Sequence, residues 1–236
     1  MAQSVGNAKN ILVGASPLFL SSIDINDSDY IANAEAGVSI ASGANTVGVP
    51  AFAPGASYAT TLNNVNQTAG LFGYRNVGFT NNGLQITYNP TFDSVTVDQL
   101  LDTAKLFKSA MEVMIATEMS EGTLENIVTV FGQSSSTLSA VTGTGATAKQ
   151  ELGLAAGSLG AAPTERQLIA VGQAPTAGST SSERVYYARR VLSVQQSQHS
   201  LARTTATTFP VTFRLLPDAN YSGSEYGKII DRVLVV

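Results

Sequence analysis

The sequence predicts a mostly-β protein, a β-sandwich with one short flanking α-helix. Three observations carry that expectation. Apolar and polar residues alternate in several runs, the period of two that marks strands with one dry and one wet face. Turn residues such as Asn-Asn-Gly punctuate the runs, and the count is roughly ten strands. A helical stripe stands out at one place, where Leu124, Ile127, Val128 and Phe131 sit at i, i+3, i+4 and i+7.

Along the chain, "ILVGASPLFL" at 11–20 reads as an N-terminal strand. It is too short to span a bilayer, contains Pro17, and lacks a small-x-small cleavage site after it. The protein is therefore expected to be made in the cytoplasm, with no membrane partner. Residues 31–70 are rich in Ala, Gly, Asn and Ser, have little periodicity, and read as a long loop insertion. Residues 71–79 read as a strand. Asn81, Asn82 and Gly83 supply hairpin-turn chemistry, because Asn and Gly tolerate positive φ. Leu84, Ile86 and Tyr88 then alternate with Gln85, Thr87 and Asn89. Pro90 is expected to interrupt the ladder before Val95 and Val97 resume it.

In "KLFKSAMEVMIATEM", residues 105–119, the apolar residues fall at odd positions and Lys108, Glu112 and Glu118 at even ones. That period predicts a strand, although Met, Ala and Glu are good helix formers. The helix follows, with Thr123 as N-cap, Gly132 as the stop after it, and Leu124, Ile127, Val128 and Phe131 packing inward. Residues 133–148, "QSSSTLSAVTGTGATA", read as a flexible low-complexity loop. Strand-like runs return at 150–155, 167–172, 184–195, 207–215 and 228–236. The whole, residues 1–236, reads as a single domain.

Composition narrows the function. Hydrophobic residues make up 44% of the 236 and charged residues 13%, so the chain can bury a core but carries less charge than a lone monomer's surface usually does. Copies of itself would account for the covered surface. The formal charge of −4 does not suit a protein that grips phosphate backbones. Cysteine is absent, which excludes disulfides and thiolate metal sites.

No convergent chemistry emerges. The only histidine, His199, would have to serve any Ser-His-Asp site, and no G-x-S-x-G elbow accompanies it. "DINDSD" at 24–29 begins like a Ca²⁺ loop but has Asp29 where Gly is required. "GTGATAK" at 143–149 lacks the G-K-[ST] ending of a phosphate loop. Asn66 and Asn220 match the short glycosylation pattern, which is frequent by chance. Arg184, Arg189 and Arg190 interleave with Tyr186 and Tyr187, a pattern that can touch nucleic acid and more often forms a solvated or intersubunit face. The expectation is a non-enzyme with no catalytic residue, metal or cofactor.

The stretches "YRNVGFTNNGLQITYNPTFDSVTVDQ" and "LFKSAMEVMIATEMSEGTLENIVTVFG" resemble the major tail tube protein of long non-contractile-tailed bacteriophages, the siphophage tail tube family. So do "PTERQLIAVGQAP", "ERVYYARRVLSVQQS" and "FPVTFRLLPD", in the same order. The resemblance covers roughly residues 71–236; the segments 31–70 and 133–148 depart from it. It implies a tail-tube β-sandwich whose inner sheets join into a β-barrel as subunits close into hexameric rings. The rings stack into a hollow virion tail, through which double-stranded DNA passes into the host without specific binding. It implies partners as well: further copies of the chain, a tape measure protein, and tail terminator or tail tip proteins. Under that resemblance Leu84, Ile86 and Tyr88 would pack inward, and Gln85, Thr87, Asn89, Glu112 and Glu118 would face the channel. The alternatives are another virion protein, capsid or head decoration, and a secreted β-sandwich binding module. A capsid subunit would more often carry a long helix, and a binding module exposed aromatics or a calcium site.

Overall fold

A computed structural model describes residues 16–21, 57–60, 62, 74–96, 98, 102–156, 159–160, 162–175, 182–195, 198–199, 201, 203 and 206–233. Eight strands make one antiparallel sheet: β1 (Leu18–Ser21), β2 (Tyr74–Asn76), β3 (Thr80–Thr96), β4 (Thr103–Met119), β5 (Arg166–Gln173), β6 (Ser182–Ser193), β7 (Phe209–Leu215) and β8 (Gly227–Val233). Their order is β2-β1-β5-β6-β7-β4-β3. Strand β8 lies off that path and pairs with β6. The protein is thus mostly β, as expected.

The centre of the sheet is buried on both faces, and the period of two assigns its residues to each. Leu18, Leu20, Leu168 and Ala170 join Val113, Ile115, Phe209, Val211 and Phe213 in the larger core. Phe19, Ile169, Val171, Val185 and Tyr187 form a second core on the other parity. A short helical segment closes over the second core with Tyr58 and Leu62, one helical turn apart and fully buried. Each such burial is worth roughly 2–3 kcal/mol. Part of the 31–70 insertion therefore docks inside its own chain; its other residues lie outside those described, as do Val97 and the "DINDSD" segment.

Helix α1 spans Leu124–Val130. The Thr123 hydroxyl accepts the Asn126 N–H at 3.3 Å, capping the start as expected. Its end is a complete Schellman motif. Gly132 has φ of 64°, its N–H reaches Thr129 O at 3.1 Å, and Gln133 N–H reaches Val128 O at 2.9 Å. The buried face differs from the expected stripe. Val128 is buried and Ile127 packs against the core, but Leu124 is only half-buried and Phe131 is exposed. Asn126, Thr129 and Val130 take the inward positions instead. Polar residues can turn inward here because a partly buried arginine on β2, Arg75, meets them.

The Asn-Asn-Gly stretch does not connect two strands. It lies within β3, where four residue steps from Asn81 to Gln85 oppose two on β4, from Glu118 to Ala116. Asn82 and Gly83 take positive φ (60° and 67°), so the backbone requirement was read correctly and its purpose was not. It makes a wide bulge, and the Thr117 hydroxyl fixes it by donating to Gly83 O at 2.8 Å. Nor does Pro90 break the ladder. It pairs with Met111 on the edge strand, where a missing N–H can point away from the partner. Residues 133–148 hold local hydrogen-bonded structure: two 3₁₀ turns, and bridges from Leu138 to Leu152 and Thr142 to Lys149. The run 150–155 contributes only the Leu152 bridge and no strand.

Candidate functional site

Strands β3 and β4 are each 17 residues long, about 55 Å when extended. Strand β7 supports β4 only from Met114 to Met119. Beyond that, β3 and β4 continue as a two-stranded ribbon with no third strand among those described. An isolated ribbon of this kind is at best marginally stable in water. Among the described strands the sheet edge is therefore open along β3 and along the outer half of β4.

Register settles which candidate residues meet. Gln85 pairs with Ala116, Thr87 with Met114 and Asn89 with Glu112. These share one face with Glu118, whose carboxylate accepts from the Asn81 amide at 3.2 Å. All five candidate channel residues thus fall in one polar row. Glu112 also lies 3.7 Å from the Arg214 guanidinium, a half-exposed pair worth at most about 1 kcal/mol. Lys108 leaves this row. A register shift between Thr91 and Phe92 places Lys108 opposite Phe92, on the other face. Arg214, opposite Met114, takes the basic place on this face that alternation had given to Lys108.

The opposite face of the ribbon carries exposed apolar side chains among the described residues, with Lys108 joining them past the register shift. Ile86 pairs with Ile115 and Tyr88 with Val113, so their inward parity is as expected. Leu84 packs against the core, yet Tyr88 is 65% exposed and Ile86 43%. Farther out, Phe92 and Leu106 are exposed on this face as well, whereas Phe107, opposite Asp93, is exposed on the face of the polar row. Ile86, Tyr88 and Val113 line a groove of about 230 Å³ whose far wall is Tyr186, Tyr226 and Ile229.

The arginine cluster is occupied within the chain. Arg184 grips Asp231 through two bonds of 2.6 and 2.8 Å. That pairing raises the Arg184 pKa and holds the Asp231 carboxyl below its ordinary value. Arg190 forms the same fork with Glu165, at 2.6 and 2.9 Å, and its pKa rises chiefly through that bond. Arg189 is buried and lies 3.4 Å over the Tyr221 ring. These contacts favour the structural alternative over nucleic-acid binding.

Two buried polar clusters escaped the sequence. Arg75 donates to Asn126, to Thr129 Oγ1 at 3.2 Å and to Glu125 O at 3.3 Å, fastening α1 to β2. Burial pushes Arg75 down to about 10; Arg166 adds to this and Glu125 opposes it. On the second core Glu183 receives Arg232 and the Tyr58 N–H, the latter at 2.7 Å. Burial raises the Tyr58 hydroxyl, with Arg232 opposing. The only sequence signal for either cluster was a charge inside a strand pattern, whose partner a single sequence does not name.

His199 sits between two rings, 4.8 Å from Phe209 and 6.2 Å from Phe131, in an aromatic stack. The Asn220 amide is engaged with Asp218 at 2.9 Å. Among the described residues no group of three His, Asp or Glu is placed to hold a metal, and no helix is long and apolar enough to cross a membrane. No protein-family model matches the chain, and no curated protein does.

Proposed function

We propose that this chain is a structural subunit that assembles with copies of itself into stacked rings, the major tail tube protein of a long non-contractile-tailed bacteriophage. The observation that carries the reading is the long β3–β4 ribbon, with no third strand beside it among those described, Gln85, Thr87, Asn89 and Glu112 on one face and exposed Ile86, Tyr88, Phe92 and Leu106 on the other. A lone monomer rarely leaves so long an open edge with apolar side chains beside it, because such edges aggregate. Closure against neighbouring copies satisfies the edges and covers the apolar face together. The polar row of Gln85, Thr87, Asn89, Glu112 and Glu118 is then left for the lumen, where carboxylates repel a passing duplex. The β-sandwich fold of each chain and the inner barrel of the assembled ring belong to this reading. So do six-fold closure, a place in the virion tail, and contacts with a tape measure protein and with terminator or tip proteins. It requires no catalysis.

Electron microscopy of the purified chain tests the proposal. Rings or tubes with a central channel are the expected result. Closed shells would point instead to a capsid or decoration protein, and monomers at every concentration would overturn self-assembly.

A further inference from the structure

We infer that Asn82 is a site of spontaneous covalent modification, where the side-chain amide closes onto the Gly83 nitrogen and the residue ages into aspartate and isoaspartate. The reaction needs no partner and no reagent besides water and hydroxide.

The chemistry requires an amide side chain one residue before an accessible backbone N–H. Asn82-Gly83 is the one Asn-Gly pair in the chain. Glycine matters because a Cβ on the attacking residue would crowd its approach to the amide carbon, and because glycine lets the backbone rotate into that approach. The structure leaves the pair open. Both residues are exposed on β3, at the edge of the sheet. They occupy the bulge between Asn81 and Gln85, where neither has a register partner on β4. No atom lies within 4 Å of the place a Gly83 Cβ would take. The Asn82 side chain makes no hydrogen bond among the described residues.

The other described asparagines are each held back. Asn76 accepts the Gly78 N–H at 2.9 Å and precedes Val77, whose branched Cβ crowds the attack. The Asn81 amide is on Glu118. Asn89 precedes Pro90, which has no N–H. Asn126 is fully buried with both ends of its amide engaged. The Asn220 amide donates to Asp218 and precedes Tyr221. Sequence, exposure and freedom from hydrogen bonds coincide at Asn82.

Hydroxide takes the Gly83 amide proton, and the nitrogen attacks Asn82 Cγ. The N–Cγ bond forms, the Cγ–Nδ2 bond breaks, and Nδ2 takes a proton from water and leaves as ammonia. The resulting succinimide ring takes up one water. Opening at Cγ gives aspartate. Opening at the main-chain carbonyl gives isoaspartate, whose backbone runs through Cβ and Cγ and is one atom longer. A bulge on an edge strand already departs from the ladder, so it absorbs an added atom better than a paired position does. Either product places a carboxylate in the groove of about 380 Å³ that Asn82 shares with Gln85 and Glu118. The polar row therefore gains negative charge with age.

The test is to hold the purified chain in mildly alkaline buffer, with native circular dichroism throughout, and digest samples with trypsin. The peptide of residues 76–105 carries Asn76, Asn81, Asn82 and Asn89 together, and fragmentation in a mass spectrometer separates them. Asn82 should exchange amide for acid at least about tenfold faster than the other three, one decade in rate. The rate should rise with pH, and protein-isoaspartate methyltransferase should label the aged peptide. Asn82→His, which keeps a residue type tolerant of positive φ, should remove both the mass gain and the label. Conversion at Asn82 no faster than at its neighbours overturns the inference. So does aspartate formed without isoaspartate, because direct hydrolysis by water would then replace attack by Gly83.

Discussion

The amide of Asn126 is the joint between helix and sheet: its oxygen accepts from Arg75, and its nitrogen donates to Val77 O at 2.9 Å and to Glu121 O at 2.8 Å. The residue is fully buried. Asn126→Ala removes one of three acceptors from Arg75 and leaves the carbonyls of Val77 and Glu121 without this donor, and should cost about 3 kcal/mol. Urea unfolding measures this; a loss within about 0.5 kcal/mol, the range of surface sites, would show that water replaces the amide.

Gly227 opens β8 with φ of 144°, and a Cβ built there would lie 1.9 Å from Tyr187 O. Backbone cannot yield as a side-chain tip can. Gly227→Ala should push β8 off β6 at a cost of about 3 kcal/mol. Gly83 differs: it needs positive φ (67°), but an added Cβ meets nothing within 4 Å. Gly83→Val should cost about 1–2 kcal/mol from backbone strain alone, and Gly83→Asn less. Chemical denaturation of the three variants ranks them, and equal losses would contradict this assignment of cause.

The Arg184–Asp231 fork predicts acid sensitivity in β8. Its hydrogen bonds hold the Asp231 carboxyl below its ordinary 3.8. A carboxylate with a depressed folded pKa adds stability that is present above the unfolded value and disappears as pH falls through the folded one. Asp231 is half-exposed, so water limits the contribution to about 1 kcal/mol. Asp231→Asn should lower the thermal midpoint at pH 7 and leave it nearly unchanged at pH 2. An equal loss at both pH values would assign the effect to packing.

If the polar row lines a channel, reversing Glu112 and Glu118 to Lys makes that wall attract DNA in every ring, through counterion release. Particles with intact tubes should then release DNA more slowly at low salt and recover as salt rises. Unchanged ejection across the salt range would remove these two residues from any repulsive role.

Legibility in the sequence followed the physics of each element. Strand β4 was plain because one face is buried and the other is wet from Met111 to Met119. The bulge at Asn82-Gly83 was read as a hairpin because both devices need the same positive φ; only the partner strand distinguishes them. Pro90 looked like a break because the sequence does not reveal that β3 is an edge. The α1 stripe was misplaced by one turn at Phe131, since Asn126 and Thr129 face inward only in company with Arg75, about 50 residues away. The polar row was readable from alternation. Lys108 was not, because a one-residue shift in register carries no mark in the chain.

The pairing of β1 with β5 has a consequence in time. Leu18 finds Ala170 roughly 150 residues later, a very non-local contact, whereas β3 and β4 are neighbours along the chain. At ribosomal rates of about 5–20 residues per second, Leu18, Phe19 and Leu20 wait about 10–30 s for β5 to be made. The β3–β4 hairpin can close within microseconds of emerging. After β1 has met β2, the outer hairpin is thus the next part of the nascent chain able to pair, and the central sheet is completed only later. For that interval the nascent chain carries the exposed apolar side chains of its hairpin, Ile86, Tyr88 and Phe92, before the strands that complete its own interior have been made.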